Sequence, residues 1–233
     1  MRMAIIPARG GSKRIPRKNI KLFRGHPIIA WSIMTALETN LFDRIVVSTD
    51  DDEIAEIAKK YKAIVPFNRP THLSDDFTTT SPVVAHAIEW HLNKGFKLDS
   101  VCCIYATAPF MRATDIIKGF DIMNKKGSDF CLSVTSYSFP IQRAFEIDFN
   151  GRIEMLQPSN YNLRSQDLPE TYHDAGQFYW GKIEAWLSGN PIFGKNANTV
   201  ILPRYRVQDI DTLEDWHHAE LMYDILQNKI INK

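Results

Sequence analysis

Cations are concentrated in one glycine-containing loop near the start of the chain. This basic loop is Ile6-Pro7-Ala8-Arg9-Gly10-Gly11-Ser12-Lys13-Arg14-Ile15-Pro16-Arg17-Lys18-Asn19. The first 25 residues contain eight Lys or Arg and no acid, and the first acidic residue is Glu38. A segment of net charge +8 therefore precedes a body of net charge −7, although the whole chain carries +1. A cationic loop that follows a short apolar strand is suited to hold a polyanion, and we expect a nucleoside triphosphate.

The glycine pair Gly10-Gly11 is typical of a backbone that closely approaches a phosphate. Consecutive backbone N–H groups can form an anion-binding nest there, to which Arg9, Lys13 and Lys18 add full charges. The loop matches neither G-x-x-x-x-G-K-[ST] nor G-x-G-x-x-G, which disfavours a P-loop ATPase and a dinucleotide dehydrogenase. The alternative is a solvated basic loop or a nonspecific polyanion patch.

A carboxylate pair, Asp209 and Asp211, is the second group that could do chemistry. In an extended segment the two side chains, one residue apart, point to the same face. Mg²⁺ commonly takes one or two carboxylates and completes its octahedron with water and phosphate oxygens. Such an ion would neutralise charge developing at the α-phosphorus and on departing pyrophosphate. The alternative is that Asp211 or Thr212 caps the last helix while Asp209 is solvated.

The elements that must position these groups follow an alternating pattern. Apolar runs predict strands at Met3–Ile6, Arg44–Ser48, Ala63–Phe67, Val101–Tyr105 and Phe130–Val134. The stretches between them predict helices at 26–37, 50–61, 81–93 and 114–124. The second helix is expected to begin with Asp50 as its cap and Glu53 as the capping-box partner. This alternation predicts an α/β fold with a mostly parallel sheet flanked by helices, and ligands at the carboxyl ends of the strands.

The alternating pattern breaks between about residues 137 and 172, a stretch with Pro140, Pro158, Pro169 and several aromatic residues. We interpret it as a β-rich segment inserted into a single domain that spans residues 1–233. The α/β pattern resumes with strands at 178–180 and 199–202 and a final helix at about 212–226.

The composition is that of an ordinary globular protein, with 44% hydrophobic and 24% charged residues. Near-neutral net charge argues against a nucleic-acid or membrane binder. Cys102, Cys103 and Cys131 lack metal-ligand spacing and indicate buried residues of a reducing compartment. No signal-peptide pattern and no apolar run of roughly 20 residues is visible, so we expect a cytoplasmic protein.

The run from Ile5 to Asn19 resembles the signature of the acylneuraminate cytidylyltransferases, the CMP-sugar synthetase family. Further similar motifs lie at 47–50, 69–76, 107–109, 164–166 and 209–211. Within the family the likeness is greatest to the branch that acts on pseudaminic acid, on the residues 104–110, 139–143 and 172–180.

The resemblance implies a Rossmann-like nucleotidyltransferase fold and transfer of CMP from CTP to a nine-carbon 2-keto sugar acid, with release of pyrophosphate. It also implies a homodimer built through the inserted segment. The cofactor expected at Asp209 and Asp211 is Mg²⁺ or Mn²⁺. Lys18 and Arg9 are the expected catalytic residues, with Lys18 near the α-phosphate. The expected nucleotide-binding residues are Ala8, Arg9, Gly10, Gly11, Ser12, Lys13, Lys18, Asn19 and Arg69.

The sugar side is expected to include an arginine that binds the sugar carboxylate in bidentate fashion. Arg164 holds the family position for this role. The other expected sugar-binding residues are Gln142, Arg143, Gln166, Tyr105, His173, Asp174 and Tyr179. Sialic acid enzymes usually carry Gln-Pro-Thr-Ser-Pro where this chain has residues 105–109, Tyr-Ala-Thr-Ala-Pro. Losing that amide fits a less hydroxylated sugar than sialic acid.

Two other readings of the chain stay open from the sequence. One is a cytidylyltransferase for sialic, legionaminic or another keto sugar acid. The other, from a different class, is a noncatalytic module that binds nucleotides or polyanions. The presence of Lys18 together with Asp211 disfavours the module, because binding alone needs no metal pair opposite the cation.

Overall fold

The chain is built on a mixed sheet, as the computed structural model shows for residues 1–231. The strands of this part of the chain are β1 (Arg2–Pro7), β2 (Leu22–Phe23), β3 (His26–Pro27), β4 (Arg44–Ser48), β5 (Ser100–Ile104), β6 (Phe130–Ser136), β7 (Phe145–Ile147), β8 (Ile153–Met155), β9 (Tyr172–Lys182) and β10 (Ala197–Ile201). The central sheet has the order β10-β6-β9-β5-β1-β4, and the pairs β2-β3 and β7-β8 form two small separate sheets.

The central sheet is mostly parallel, as predicted. Strand β1 pairs in parallel with β4 and β5, and β10 pairs in parallel with β6. Strand β9 runs antiparallel to both of its neighbours, β5 and β6. The sequence indicated only a short strand at 178–180 and nothing of its direction, because apolar patterning does not encode strand direction. This topology places the carboxyl end of β1 between those of β4 and β5.

Helices cover the sheet, and their ends have identifiable causes. They are α1 (Ile28–Glu38), α2 (Asp52–Lys60), α3 (Thr80–Asn93), α4 (Ala113–Lys126), α5 (Ile183–Leu187) and α6 (Leu213–Ile231). Helix α4 ends at Gly127, whose φ of 65° suits a residue without a β-carbon. Before α6, Thr212 Oγ1 accepts from Asp215 N at 3.2 Å and Asp215 accepts from Thr212 N at 2.8 Å, which is a capping box.

Four local predictions were wrong. The helix predicted at 26–37 begins only at Ile28, because His26–Pro27 pairs with Leu22–Phe23 as strand β3. The cap of α2 is Asp51, whose carboxylate accepts from Ile54 N at 2.9 Å, whereas Asp50 turns toward the basic loop. The predicted strand at 63–67 is only an isolated bridge between Val46 and Ile64. Proline follows it at position 66 and offers no N–H to extend a ladder. Helix α3 begins at Thr80, one residue before the predicted start.

Side chains alternate between the two faces of the sheet and form two hydrophobic clusters. Ile6, Cys102 and Trp180 lie in one cluster, while Ile5 and Cys103 lie in the other. The three cysteines are buried, in agreement with their reading as core residues. A third, smaller cluster packs α6 onto the basic loop and α1, with Ile15, Phe23 and Trp216 among its members. Helix α6 is thereby held beside the loop that carries the cations.

The segment between β6 and β9 contains the β7-β8 hairpin and three single 3₁₀ turns. It is therefore only sparsely β-structured. Many of its large apolar side chains are exposed: Tyr137, Phe139, Ile141, Phe145, Ile147, Phe149, Ile153, Leu156, Tyr161 and Leu163. Among the residues that the structure describes, no helix is both long and apolar enough to cross a bilayer.

Candidate active site

A cleft of about 270 Å³ opens at the carboxyl ends of β1 and β5. This is where ligands bind in open α/β sheets. Predicted site residues that line it are Arg9, Ser12, Lys13, Lys18, Asn19, Arg69, Tyr105 and Asp211. The structure thus brings the basic loop together with Asp211, which lies near the other end of the chain.

The outer cations of the loop are paired with the segment that precedes α3. Arg9 Nη1 lies 2.7 Å from Asp76 Oδ1 and also donates to the Asp75 carbonyl. Lys13 Nζ contacts the other oxygen of Asp76. Asp75 is itself fixed, because its carboxylate accepts from Thr78 N at 2.7 Å. One exposed carboxylate therefore neutralises two cations, in the position that an anionic ligand would take.

The inner cations are paired with Asp211, one of the two carboxylates of the predicted pair. Lys18 Nζ donates to Ile210 O at 2.7 Å and to Asp211 Oδ1 at 3.2 Å. Arg14 Nη2 lies 2.8 Å from Asp211 Oδ2. Lys18 is the more enclosed of the two cations, with 19% of its side chain exposed against 66% for Arg14. Lys18 is therefore the cation held deepest beside the acidic end of the cleft.

The backbone of the loop is held at two points. Asn19 Nδ2 donates to Arg9 O at 2.9 Å, and Gly10 N donates to Asp50 Oδ1 at 3.0 Å. A β-carbon on Gly10 would lie 2.7 Å from Asp51 Oδ2, so a larger residue here would displace the Asp51 carboxylate. Gly11 has open space around it, and Ala8 is buried in the core. Of the three small residues, Gly10 is the one whose lack of a side chain shapes the loop.

Arg69 enters the cleft from beneath. Its side chain is 3% exposed, and its nearest carboxylate oxygen is Asp50 Oδ1 at 3.6 Å. Its Nε and Nη2 atoms have no hydrogen-bond partner within the part of the chain that the structure describes. Burial lowers the pKa of this guanidinium, partly offset by the charge of Asp50. A buried donor without a partner is costly, so these two nitrogens favour a ligand that brings acceptors.

Tyr105 and Thr80 line another part of the cleft, and Tyr105 is linked by its hydroxyl to groups behind it. Tyr105 Oη lies 3.3 Å from Thr80 Oγ1 and 3.2 Å from Tyr179 Oη. Tyr179 in turn donates to the carboxylate of Asp174, which also accepts from Gly176 N at 3.0 Å. Burial and this carboxylate raise the pKa of Tyr179, so its hydroxyl stays a donor. The Tyr105 ring is thus held in one orientation.

The other residues predicted for the sugar side do not line this cleft in the single chain. Arg164 forms a bidentate pair with Asp167, at 2.7 and 3.0 Å, and its side chain is 71% exposed. Gln142 is buried and donates to Pro169 O at 3.0 Å, so it holds the inserted segment together. Arg143 is exposed, and Gln166 lines a separate cavity within the segment. Their roles toward a sugar stay predictions.

His173 lies on β9 between these two regions. Its Nδ1 donates to the Asp174 carbonyl at 2.8 Å, and its ring packs against Tyr137 with centroids 4.7 Å apart. It therefore borders the start of the inserted segment rather than the cleft.

The carboxylate pair fits a divalent cation by its donor set. Asp209 has no side-chain hydrogen bond or ion pair within the described part of the chain, whereas Asp211 contacts two cations. Partial loss of hydration and the nearby Asp211 carboxylate raise the pKa of Asp209. Two carboxylates suit Mg²⁺ once phosphates and water complete the shell. Among residues 1–231, no group of three or more His, Cys, Asp or Glu forms a protein-only metal cage.

Sequence reasoning missed several residues of the site. Thr78 and Thr80 line the cleft, and Asp76 pairs with Arg9 and Lys13. Asp50 and Asp51 contact the basic loop. A signal existed for Asp76 and Asp50, because both lie in motifs of the family likeness, although Asp50 was predicted only as a helix cap and Asp76 was given no role. No local pattern linked Asp51 to the basic loop, because its partner there, Arg17, lies 34 residues away.

Comparison with known proteins agrees with this geometry. The family model described as "Cytidylyltransferase" matches residues 3–229. The chain belongs to the cytidylyltransferase family. It is 45% identical to a protein of Campylobacter jejuni named "Pseudaminic acid cytidylyltransferase", over 96% of each chain. It is 30% identical to "CMP-N,N'-diacetyllegionaminic acid synthase" of Legionella pneumophila, over 98% of this chain and 99% of the other.

The fold of this cytidylyltransferase is also that of a solved CMP:2-keto-3-deoxy-manno-octonic acid synthetase in complex with CTP. The TM-score is 0.71 at 16% identity, over 96% of this chain and 98% of the other. The predicted Rossmann-like nucleotidyltransferase fold and the predicted family are therefore confirmed. The enzyme is a nucleotidyltransferase, and the noncatalytic module loses its support.

Proposed function

We propose that this cytidylyltransferase transfers CMP from CTP to pseudaminic acid and releases pyrophosphate. The observation that carries the proposal is the cleft whose lining brings Arg9, Lys13 and Lys18 together with Asp211, which Lys18 contacts. The relatives named above support the nucleotide and the class of sugar acid.

The nucleotide half acts by positioning and charge. Arg9, Ser12 and Lys13 hold the triphosphate, which replaces Asp76 as their anionic partner. Asn19 and the unpaired nitrogens of Arg69 contact the nucleoside. Lys18 lies by the α-phosphate and stabilises charge that builds up in the transition state.

The reaction is an in-line displacement. The anomeric hydroxyl oxygen of the sugar acid forms a bond to the α-phosphorus, and the bond from that phosphorus to the bridging oxygen of the pyrophosphate breaks. The hydroxyl proton passes to solvent, and pyrophosphate leaves with the bonding electron pair. Lys18 and Arg9 offset the negative charge on the non-bridging oxygens during this step.

Asp209 and Asp211 would hold Mg²⁺ or Mn²⁺ beside the phosphates. When bound, the ion supplies Lewis-acid stabilisation of phosphate oxygens. With Asp211→Asn we expect the Mg²⁺ concentration for half-maximal activity to rise at least about tenfold, because half of the carboxylate pair is lost. Asp121→Asn, an exposed carboxylate on α4, is the matched control. An unchanged metal titration in Asp211→Asn argues against this site.

The sugar half combines Tyr105 with residues that the inserted segment supplies. The hydroxyls around Tyr105 replace the amide of the sialic acid enzymes and leave less room for a hydroxylated side chain. Arg164 binds the sugar carboxylate, with Arg143, Gln142, Gln166, His173 and Asp174 around it. Because these groups do not reach the cleft of their own chain, we infer a homodimer in which the inserted segment packs against a second copy.

A pyrophosphate-release assay tests the function. CTP, MgCl₂ and the enzyme are incubated with pseudaminic, legionaminic and sialic acids in parallel. We expect kcat/KM to be highest for pseudaminic acid, by about 100-fold over sialic acid, because a site built for one polar pattern rejects another. A higher kcat/KM for legionaminic or sialic acid would reassign the substrate. Pyrophosphate release from none of them, with CTP still bound, would refute the proposed reaction.

A further inference from the structure

One cation of the basic loop, Arg17, is paired away from the cleft. The other cations of the loop, Arg9, Lys13, Arg14 and Lys18, line the cleft and contact carboxylates or carbonyls there. Arg17 instead reaches the start of α2. Its Nη2 donates to Asp51 Oδ1 at 2.9 Å and to Glu53 Oε2 at 2.6 Å, and its Nη1 donates to Asp51 Oδ2.

The backbone of Arg17 is in the left-handed region, with φ 56° and ψ 31°. Residues other than glycine, asparagine and aspartate seldom adopt this conformation, so something must hold it. The bidentate pair with Asp51 is the contact that does so, since guanidinium and carboxylate geometries match. The Arg17 carbonyl then accepts from Ile20 N and Lys21 N, each at 3.0 Å, and closes the turn that carries Lys18.

The same carboxylate bounds the other end of the loop. A β-carbon on Gly10 would lie 2.7 Å from Asp51 Oδ2, and Gly10 N is held by the neighbouring Asp50. Asp51 is in turn fixed by its cap bond from Ile54 N at 2.9 Å, at the start of a nine-residue helix. The start of α2 therefore positions both ends of the basic loop, at Gly10 and at Arg17.

We propose that Arg17 and Asp51 are positioning residues for the triphosphate: their ion pair fixes the turn from which Lys18 reaches the cleft. The pair need not break when an anion enters, because neither residue lines the cleft. This differs from the pairs with Asp76 and Asp211, which lie where ligand oxygens would lie. The inference depends on the proposed function in one respect, namely that the basic loop binds the triphosphate.

Three variants separate the pair from its surroundings. Arg17→Asn removes the guanidinium but keeps a residue that tolerates positive φ. Asp51→Asn removes the charge but keeps an oxygen that can cap α2. Glu53→Gln, whose carboxylate is 66% exposed, removes only the outer acceptor and is the matched control. The double variant Arg17→Asn/Asp51→Asn closes a double-mutant cycle.

Calorimetry with CTP and MgCl₂, together with initial rates of pyrophosphate release, gives the readout. We expect the Kd and KM for CTP to rise about tenfold in each single variant, and no further in the double variant. The KM for the sugar acid and the affinity of Glu53→Gln should stay within twofold. A merely structural role would instead reduce the active fraction and leave both KM values unchanged.

An Arg17→Asn protein that binds CTP as tightly as the parent overturns the inference. If that variant does not fold, Arg17→Lys, which keeps the charge but loses the fork, should give an intermediate loss, and parent-like affinity again contradicts the pair's role. A parent protein that binds CTP but transfers CMP to no sugar acid refutes the proposed function alone. The CTP affinities of the variants then still decide the positioning role. A parent that binds no CTP refutes both.

Discussion

The basic loop and the inserted segment differ in whether their side chains find partners within the described part of the chain. In the basic loop, Lys18 is 19% exposed and donates to Ile210 O and Asp211 Oδ1. In the inserted segment, Phe139 and Phe149 are 82% and 97% exposed and Ile147 is 66% exposed. Charges are matched in the first region, whereas apolar surface is left uncovered in the second.

This difference indicates which part of the function a single copy can perform. The cations of the basic loop are held in place by carboxylates of the same chain until another anion replaces those carboxylates. Clustered exposed aromatic and aliphatic side chains have no such partner in the described part of the chain, and patches of this kind mark interaction surfaces. We therefore expect nucleotide binding to be a property of one chain and sugar binding to depend on assembly.

The largest expected effect is a loss of kcat on substitution of Lys18 in the basic loop. Lys18→Ala should lower kcat by about 10²–10³, the usual cost of removing one stabiliser of transition-state charge. Steady-state pyrophosphate release measures it. Lys59→Ala, a lysine 54% exposed on α2, is the control and should keep parental rates. Activity within threefold of the parent in Lys18→Ala would remove this residue from the mechanism.

The next largest effect is expected from a charge placed on the apolar surface of the inserted segment. Ile147 and Ile153 are cross-strand partners in the β7-β8 hairpin, and both are 66% exposed. Ile147→Glu places a charge in this apolar surface and should weaken dimerisation about 10- to 100-fold, which sedimentation velocity can measure. The affinity for CTP should not change.

Leu221→Glu, at a site 49% exposed on α6, is the matched control and should leave dimerisation unaffected. A parent protein that stays monomeric at all concentrations would contradict the assembly. Loss of CTP affinity in Ile147→Glu would contradict the separation of the two regions.

A third variant sharpens the comparison at the boundary between the regions. Tyr105→Gln restores the amide of the sialic acid enzymes and should raise the ratio of kcat/KM for sialic over pseudaminic acid about tenfold. Tyr105→Phe keeps the ring and isolates the hydroxyl that contacts Thr80 and Tyr179. If neither substitution changes the ratio, discrimination between sugars lies elsewhere.

The smallest effect concerns acid stability. The Arg17 guanidinium, with the cap bond from Ile54, holds the pKa of Asp51 below its ordinary value. The folded-state pKa is depressed, so this group stabilises the fold above about pH 4 and loses its contribution as pH falls further. Urea unfolding from pH 7 to pH 3 should show Asp51→Asn less stable at pH 7, with the gap closing below about pH 4. A gap that does not depend on pH would exclude the charge as its cause.

Much of the fold could be predicted because its strands and helices are determined by residues close together in sequence. Strand β4 has the predicted bounds, and α4 lies within two residues of the predicted 114–124, since apolar periodicity and helix stop signals act over a few residues. The cap of α2 was misplaced by one residue because Asp50 and Asp51 are equivalent as caps in sequence. Only the approach of Gly10, from 40 residues away, decides between them.

The sequence by itself determined the family, the basic loop and the acids that could oppose it, because residue types and short spacings carry that information. Tertiary structure alone decided which acid faces which cation. It joined Lys18 to Asp211 across 193 residues and Arg17 to Asp51 across 34, and it turned β9 antiparallel. These pairings depend on where strand ends and helix starts meet in space, and a distance in space is not written in any local run of residues.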